Sequence, residues 1–488
     1  MRNAFMASIF ALALTWVCFL PTPSTAQTSE DRAANTAWQQ KAIMHMQKMR
    51  AFHDVDTGTQ LTPPVVAQNS TDDDPSGRIS TYQPGGSTKT SGDSFFQDLG
   101  TNGRTCFTCH QPQTGWTVSA QSVQVRFNAS RGADPIFRLV DGATCPTDDV
   151  SSFEKKSRAY SLLLSKGLIR IGLPIPANAE FQISVVSDPH NCNTNPATGL
   201  PTGIVSIYRR PLPATNLGFL STIMWDGREP NLVSQAVDAT LGHAQANAPP
   251  SAAQQQQIVT FESGLFTAQI FDNAAKHLDA NGANGGPVDL QEQLAGFFIG
   301  INDPLGSNPT GAPFNSNIFN LFQAWSSLPG NDDVNMDRQS VARGETLFNT
   351  RKINITGVGG LNDMTGFCGT CHDTPDVGDH SVKAPLNIGI ADASPPALDV
   401  SGLPVFMLAC PGQNFIVTDP GRALISGKCA DVGKFKGPIL RGLAARAPYF
   451  HNGSAATLTD VVNFYNQRFS IGFTEQEKQD LVNFLNTL

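Results

Sequence analysis

Two pentapeptides of one pattern stand far apart in the chain: Cys106-Phe107-Thr108-Cys109-His110 and Cys368-Gly369-Thr370-Cys371-His372. In a Cys-x-x-Cys-His run the two thiols can each add to a vinyl group of one porphyrin, and the adjacent imidazole reaches the iron from the same side. A zinc knuckle would close four ligands around a small ion, and a redox dithiol opens a helix without needing a trailing His. Neither accounts for the His twice over. The pattern predicts two covalently bound haem c groups, attached through Cys106, Cys109, Cys368 and Cys371 and ligated by His110 and His372.

The elements that must hold these groups read as helices. Leu458, Val461, Val462 and Tyr465 recur at helical spacing, and Thr474-x-x-Glu477 is a capping box that opens a last helix carrying Leu481, Phe484, Leu485 and Leu488. Ahead of the second motif, Val341, Gly344, Leu347 and Phe348 share one helix face, with Gly344 leaving room for a neighbour. Further helical stretches run around Asn231–Leu241, Ala252–His277 and Leu290–Ile299, separated by Gly- and Pro-rich breaks. No strand pattern stands out, so the expected fold is all-α: two cytochrome c-type haem domains with long loop insertions. The divisions are a signal peptide at 1–26, an N-terminal helix and linker at 27–93, an N-terminal haem domain with an insertion at 94–335, and a C-terminal haem domain at 336–488.

The chain has 488 residues, 40% of them hydrophobic, and a formal charge of -8 without any Lys/Arg cluster, which excludes nucleic acid as a partner. Arg2, the apolar run Ala4–Leu20 and the small residues Ser24-Thr25-Ala26 read as a cleaved secretory signal. No later stretch approaches the ~20 apolar residues of a membrane span, so the mature chain is expected in the periplasm. There Cys145, Cys192, Cys410 and Cys429, which lie outside the motifs, are expected as disulfides. Local pairing joins Cys145 to Cys192 and Cys410 to Cys429, each pair flanking one loop-rich insertion. Four cysteines allow three connectivities, and buried free thiols are the alternative.

Two haem units joined by Trp225-Asp226-Gly227-Arg228 and followed by Leu440-Arg441-x-x-Ala444-x-x-Ala447-Pro448-Tyr449-Phe450-His451-Asn452-Gly453 resemble the bacterial di-haem cytochrome c peroxidase family, which includes MauG. The resemblance runs from about residue 90 to the end, leaving out the insertion 111–205. It implies a peroxide site at the His110 haem, an electron-storing haem at His372, and Trp225 as the relay between them. Where the peroxidases carry a Met ligand to the second haem, this chain has Tyr465, as MauG does. A phenolate there would lower the potential. The alternative is that Tyr465 only continues the helix stripe and that His451, His380 or Met407 ligates instead.

On the peroxide side the family's acid–base Glu is missing. After Gln235, which matches a family Gln, comes Gly242-His243-Ala244-Gln245. His243, with a pKa near working pH, becomes the acid–base candidate, and Gln245 the aligned but chemically weaker one. The resemblance also implies a calcium ion held by the carbonyls of Arg446 and Pro448, although the family's Asn ligand is replaced around Arg210 or Pro211. His190 is the one His placed to gate the first haem, and its place beside Cys192 favours a bystander.

The function so implied is reduction of hydrogen peroxide to water, with electrons from a small periplasmic donor, a cytochrome c or cupredoxin, passing from the C-terminal to the N-terminal haem. The alternatives are a MauG-like or rubber-oxygenase-like oxidation of an organic or protein substrate, and a non-catalytic electron carrier.

Overall fold

Around the second motif three helices carry the core. Asp333–Thr350 packs against Glu475–Asn486, and Leu458–Arg468 closes the other side. Each begins at a capped end. Thr457 and Asp460 exchange hydrogen bonds, as do Thr474 and Glu477, satisfying donors that the first turn leaves open. Leu481, Phe484 and Leu485 point inward with Val341 and Phe348, each stabilising the fold by about 1.5–3 kcal/mol. A Cβ at Gly344 would collide with the Asp480 carbonyl, so the helices touch backbone to backbone there and any larger residue would force them apart.

The computed structural model describes residues 62–488. The expected signal peptide at 1–26 lies outside the described residues, as does most of the N-terminal helix and linker. The described part belongs to one compact unit.

The all-α expectation is wrong. Five small antiparallel sheets accompany the helices among the described residues. Asn69–Asp73, Gly77–Tyr82, Phe266–Asp272 and Lys276–His277 form a four-stranded sheet, so the segment read as a linker is a β-arm laid over the body. The expected helix Ala252–His277 ends at Ser263, and Phe266–Asp272, which holds Phe266, Thr267, Ile270 and Phe271, is a strand instead. Ile169–Pro174 pairs with Ile204–Arg209. Gln182–Ser187 pairs with Val405–Cys410, which pairs in turn with Gln413–Val417. That last sheet draws on both expected haem domains. Its partners lie more than two hundred residues apart, and short apolar runs carry no periodicity that separates strand from helix.

Both disulfides form as expected, Cys145 with Cys192 and Cys410 with Cys429. The first ties the insertion across its base, beside the buried sheet residues Val205 and Ile207. The second pins the end of strand Val405–Cys410.

Candidate functional site

The two pentapeptides fold into the same turn. Cys106–Thr108 and Cys368–Thr370 are single 3-10 turns. In each the third-position threonine accepts from the backbone ahead of the motif: Thr105 N to Thr108 Oγ1 at 3.0 Å, and Phe367 N to Thr370 Oγ1 at 2.9 Å. In each the His backbone donates to the first Cys carbonyl, at 3.0 and 3.2 Å. In each the imidazole Nδ1 lies 2.7 Å from a carbonyl, Trp116 O for His110 and Gly378 O for His372. A carbonyl only accepts, so Nδ1 carries the proton and Nε2 keeps its lone pair. Burial, opposed by these hydrogen bonds, lowers both imidazoles to about 4, and neutral imidazole is the ligating form. Burial also raises all four thiols, Cys368 and Cys371 to about 12. A redox dithiol needs the reverse shift.

The first turn is braced from behind. Arg126, held by Asp134 at 2.7 and 2.9 Å, donates to Thr108 O at 2.7 Å. Trp116 is fully buried, donates to Thr81 Oγ1 at 2.9 Å, and packs with His110 against Phe95. In front of the turn opens a cavity with ≈ 2030 Å³ of atom-free space, its open mouth included. Cys106, Cys109, His110, Trp225, Gln235 and His243 all line it.

The wall also fits a porphyrin's acid groups. Arg210, Arg446 and Lys436 line the same cavity. Arg210 and Lys436 are 6% and 8% exposed, and none of the three makes an ion pair among the described residues. Burial and mutual repulsion lower Arg210, and its Nη1 has no hydrogen-bond partner. A buried Arg210 left without an acid, with Arg446 and Lys436 on the same wall, suits the two propionates that a haem carries.

His243 caps the C-terminal end of helix Leu232–Gly242, which starts at Asn231 and carries Gln235. Its Nδ1 lies 2.6 Å from Asp141 Oδ2, and Arg104 holds the other Asp141 oxygen at 2.5 Å. Arg104 Nη1 and Asn102 Nδ2 donate to His243 O at 3.2 and 2.8 Å. Burial works against the Asp141 charge, but Arg104 and His243 outweigh it and its carboxyl lies below the usual range. Asp141 comes from the insertion, so that segment supplies the partner of the acid–base candidate. Gln245 is exposed with a positive φ, and Thr101 and Asn102 hold it at the surface. His190 lies 2.9 Å from Gly402 O and edge-on to Tyr208, in the insertion.

The second turn faces a phenol. Tyr465, midway along Leu458–Arg468, is raised by burial and then by the nearby Cys371 and Cys368. Phe450, Phe464 and Phe469 surround its ring. Of the alternatives, Met407 sits in a sheet between Ser184 and Ile416. His380 is 4% exposed with no hydrogen bond at either ring nitrogen, its Nδ1 3.6 Å from Asp373 Oδ1. His451 is fully buried, stacked on Phe435 at 3.9 Å, and likewise has no hydrogen bond at either nitrogen.

Trp225 is 9% exposed and lines the first cavity, donates to Arg210 O at 2.8 Å and meets the His451 ring edge-on at 6.2 Å. Beneath it Arg209 joins Asp226 to Asp419, at 2.7 and 3.0 Å for the latter. Beside it Arg210 Nη2 donates to Val118 O at 2.6 Å and to Arg446 O at 2.7 Å. The latter carbonyl is one of the two expected around calcium. A guanidinium already rests on it, and a divalent cation would be repelled, so these residues do not fit the ion. Among the described residues no cluster of His, Cys, Asp or Glu suits a metal ion.

Sequence reasoning missed Asp141, Arg104 and Glu262. The first two carry no local signal. Glu262 had one: it follows Ile258 and Phe261 on the apolar face of helix Ala252–Ser263, where a charge is out of place.

Residues 434–471 match the family described as RoxA-like, cytochrome c-like. The cytochrome-c peroxidase IdrP2 of Denitromonas iodatirespirans is 35% identical over 139 residues, which are 25% of this chain and 36% of that protein. The cytochrome c551 peroxidase of Nitrosomonas europaea is 24% identical over 269 residues, 52% of this chain and 69% of that one. The chain thus spans about a third of the length of the first of these relatives. A crystal structure of a MauG-like protein associated with microbial copper homeostasis aligns over 81% of this chain and 85% of that one, at 17% identity and a TM-score of 0.37.

Proposed function

We propose that the chain, similar over part of its length to cytochrome-c peroxidases, works as a member of the di-haem cytochrome c peroxidase and MauG family and reduces hydrogen peroxide to water in the periplasm. Two electrons come singly from a small redox protein, a cytochrome c or a cupredoxin. Haem c would supply redox-active iron at both motifs.

Each residue then has a task. Cys106, Cys109, Cys368 and Cys371 would tether two haems, and the free Nε2 atoms of His110 and His372 would ligate them. Tyr465, close to the Cys368 and Cys371 thiols, would hold the second haem and keep small molecules out. Arg210, Arg446 and Lys436 neutralise propionates at the first. Trp225, an extended π system beside that cavity, carries the electron from the second site to the first.

His243 handles the peroxide's own proton, taking it at Nε2 from one oxygen and returning it to the other, which leaves as water. Asp141 fixes the tautomer by accepting from Nδ1, the logic of a catalytic triad. Gln235 lines the cavity as a polar neighbour, whereas Gln245, held at the surface, is left without a task. The signal peptide expected at 1–26 fits export, and no helix among the described residues is long and apolar enough to cross a membrane.

The observation that carries this reading is the asymmetry of two like turns: one opens on a cavity holding an Asp–His pair, the other faces Tyr465. His243→Ala should lower peroxide turnover by about 10² with both haems retained; unchanged turnover dismisses His243. A second reading, oxidation of an organic substrate, gains support from the apolar cavity wall of Leu212, Leu217, Leu220, Ile223 and Leu232. Oxygen uptake with a hydrophobic substrate, in place of peroxide-driven oxidation of a reduced cytochrome, would favour it.

A further inference from the structure

One acid on the wall of the His110 cavity has no structural employment. Glu262 stands in the last turn of helix Ala252–Ser263, four residues after Ile258 and next to Phe261, on the face turned from water. It is 5% exposed, makes no ion pair among the described residues, and its Oε1 has no hydrogen-bond partner. Buried structural carboxyls are normally tied down by backbone N–H groups or cations. Glu345, beside the second motif, shows that arrangement, accepting from Leu321 N at 2.5 Å and Phe322 N at 3.0 Å.

Glu262 has no such anchor. It lines the cavity shared by His110, Gln235 and His243, and it lies close enough to Cys106 to act on that thiol once ionised. Burial, its only influence, raises it to about 8, so the acid holds its proton at neutral pH.

We propose that Glu262 is the proton-delivery residue of this cavity, supplying from its carboxylic acid the protons that accompany the electrons arriving at the first haem. The inference rests on the peroxidase reading above. Converting one hydrogen peroxide to two waters takes two electrons and two protons. His243 only moves the peroxide's own proton from one oxygen to the other, which leaves the two net protons to be supplied. For each electron delivered by the small redox protein, Glu262 passes from CO₂H to CO₂⁻, giving its proton to the oxygen that becomes the second water. It then recovers a proton from solvent through the cavity mouth.

The test is Glu262→Gln in the holoprotein, which keeps the side chain's size and removes its acid. Two readouts are taken: peroxide turnover with a reduced cytochrome c, and the infrared difference between oxidised and reduced protein. The wild type should show a carboxylic-acid C=O band that shifts with redox state and in D₂O. Glu262→Gln should lose that band and about 10² of the turnover while keeping both haems, and Glu262→Asp should recover part of the rate. A wild-type difference spectrum with no band removable by Glu262→Gln would overturn the inference, as would unchanged turnover in that variant. Should the wild type turn over no peroxide with any small donor, the peroxidase reading falls by itself. The infrared band then decides alone: redox-sensitive and lost in Glu262→Gln, it upholds Glu262 as a proton carrier; redox-silent, it rejects it.

Discussion

The two Cys-x-x-Cys-His turns are near copies in their backbone and differ in what faces them. Both use a threonine to cap the turn and a carbonyl to orient the imidazole. Before the first lies a cavity whose wall holds His243 on Asp141, Glu262 with an unpartnered Oε1, and the cations Arg210, Lys436 and Arg446. Before the second stands Tyr465 in a nest of phenylalanines. The same five-residue turn thus meets different surroundings, set by elements that lie far along the chain from either motif.

The comparison breaks most visibly at Tyr465. Tyr465→Phe keeps the ring and removes the oxygen, so the second site should open. Carbon monoxide bound by the reduced protein should rise from one to two per chain, read from the Soret band, and an unchanged stoichiometry would return Tyr465 to the helix stripe. A smaller effect is expected at Asp141. Asp141→Asn leaves His243 in place without fixing its tautomer, and turnover should fall about 10-fold, as for other partners that orient a reactive His. The pH optimum should move with it, which a purely structural loss would not cause.

The smallest difference is in stability. Glu262 keeps a proton in the folded chain up to about 8, against an ordinary 4.5, and Glu345 up to about 7. Burial raises both, and for Glu345 the backbone hydrogen bonds pull the other way. The unfolded chain has released these protons by pH 5 to 6, so the folded state loses stability as pH climbs toward 7 and 8. Glu262→Gln should flatten that decline by about 1.4 kcal/mol per pH unit at most, measured by guanidinium unfolding at pH 5 and pH 8. Equal slopes in variant and wild type would mean that Glu262 is ionised in the fold.

How much of this could be read from the chain follows from how local each feature is. The motifs, the Thr474–Glu477 cap, the close approach at Gly344 and both disulfides are set by neighbouring residues or by few possible partners, and were legible. The sheets were not. Gln182–Ser187 finds its edge on Val405–Cys410, and nothing in either run announces the other. The site divided in the same way. His243 and Trp225 stand in recognisable surroundings, but Asp141 reaches His243 only because the insertion folds back over a hundred residues. Glu262 was hidden by the length assigned to its helix: taken as running to His277, it blurred which face was buried, and the true end at Ser263 makes the misplaced charge plain.

The most direct test of the account counts haems and open sites together on periplasmically expressed protein. Haem is measured after denaturation in alkaline pyridine, and carbon monoxide is titrated into the reduced native protein. The account predicts two covalently bound haems per chain and one carbon monoxide per chain. Fewer than two haems, or carbon monoxide at both or at neither, would contradict it.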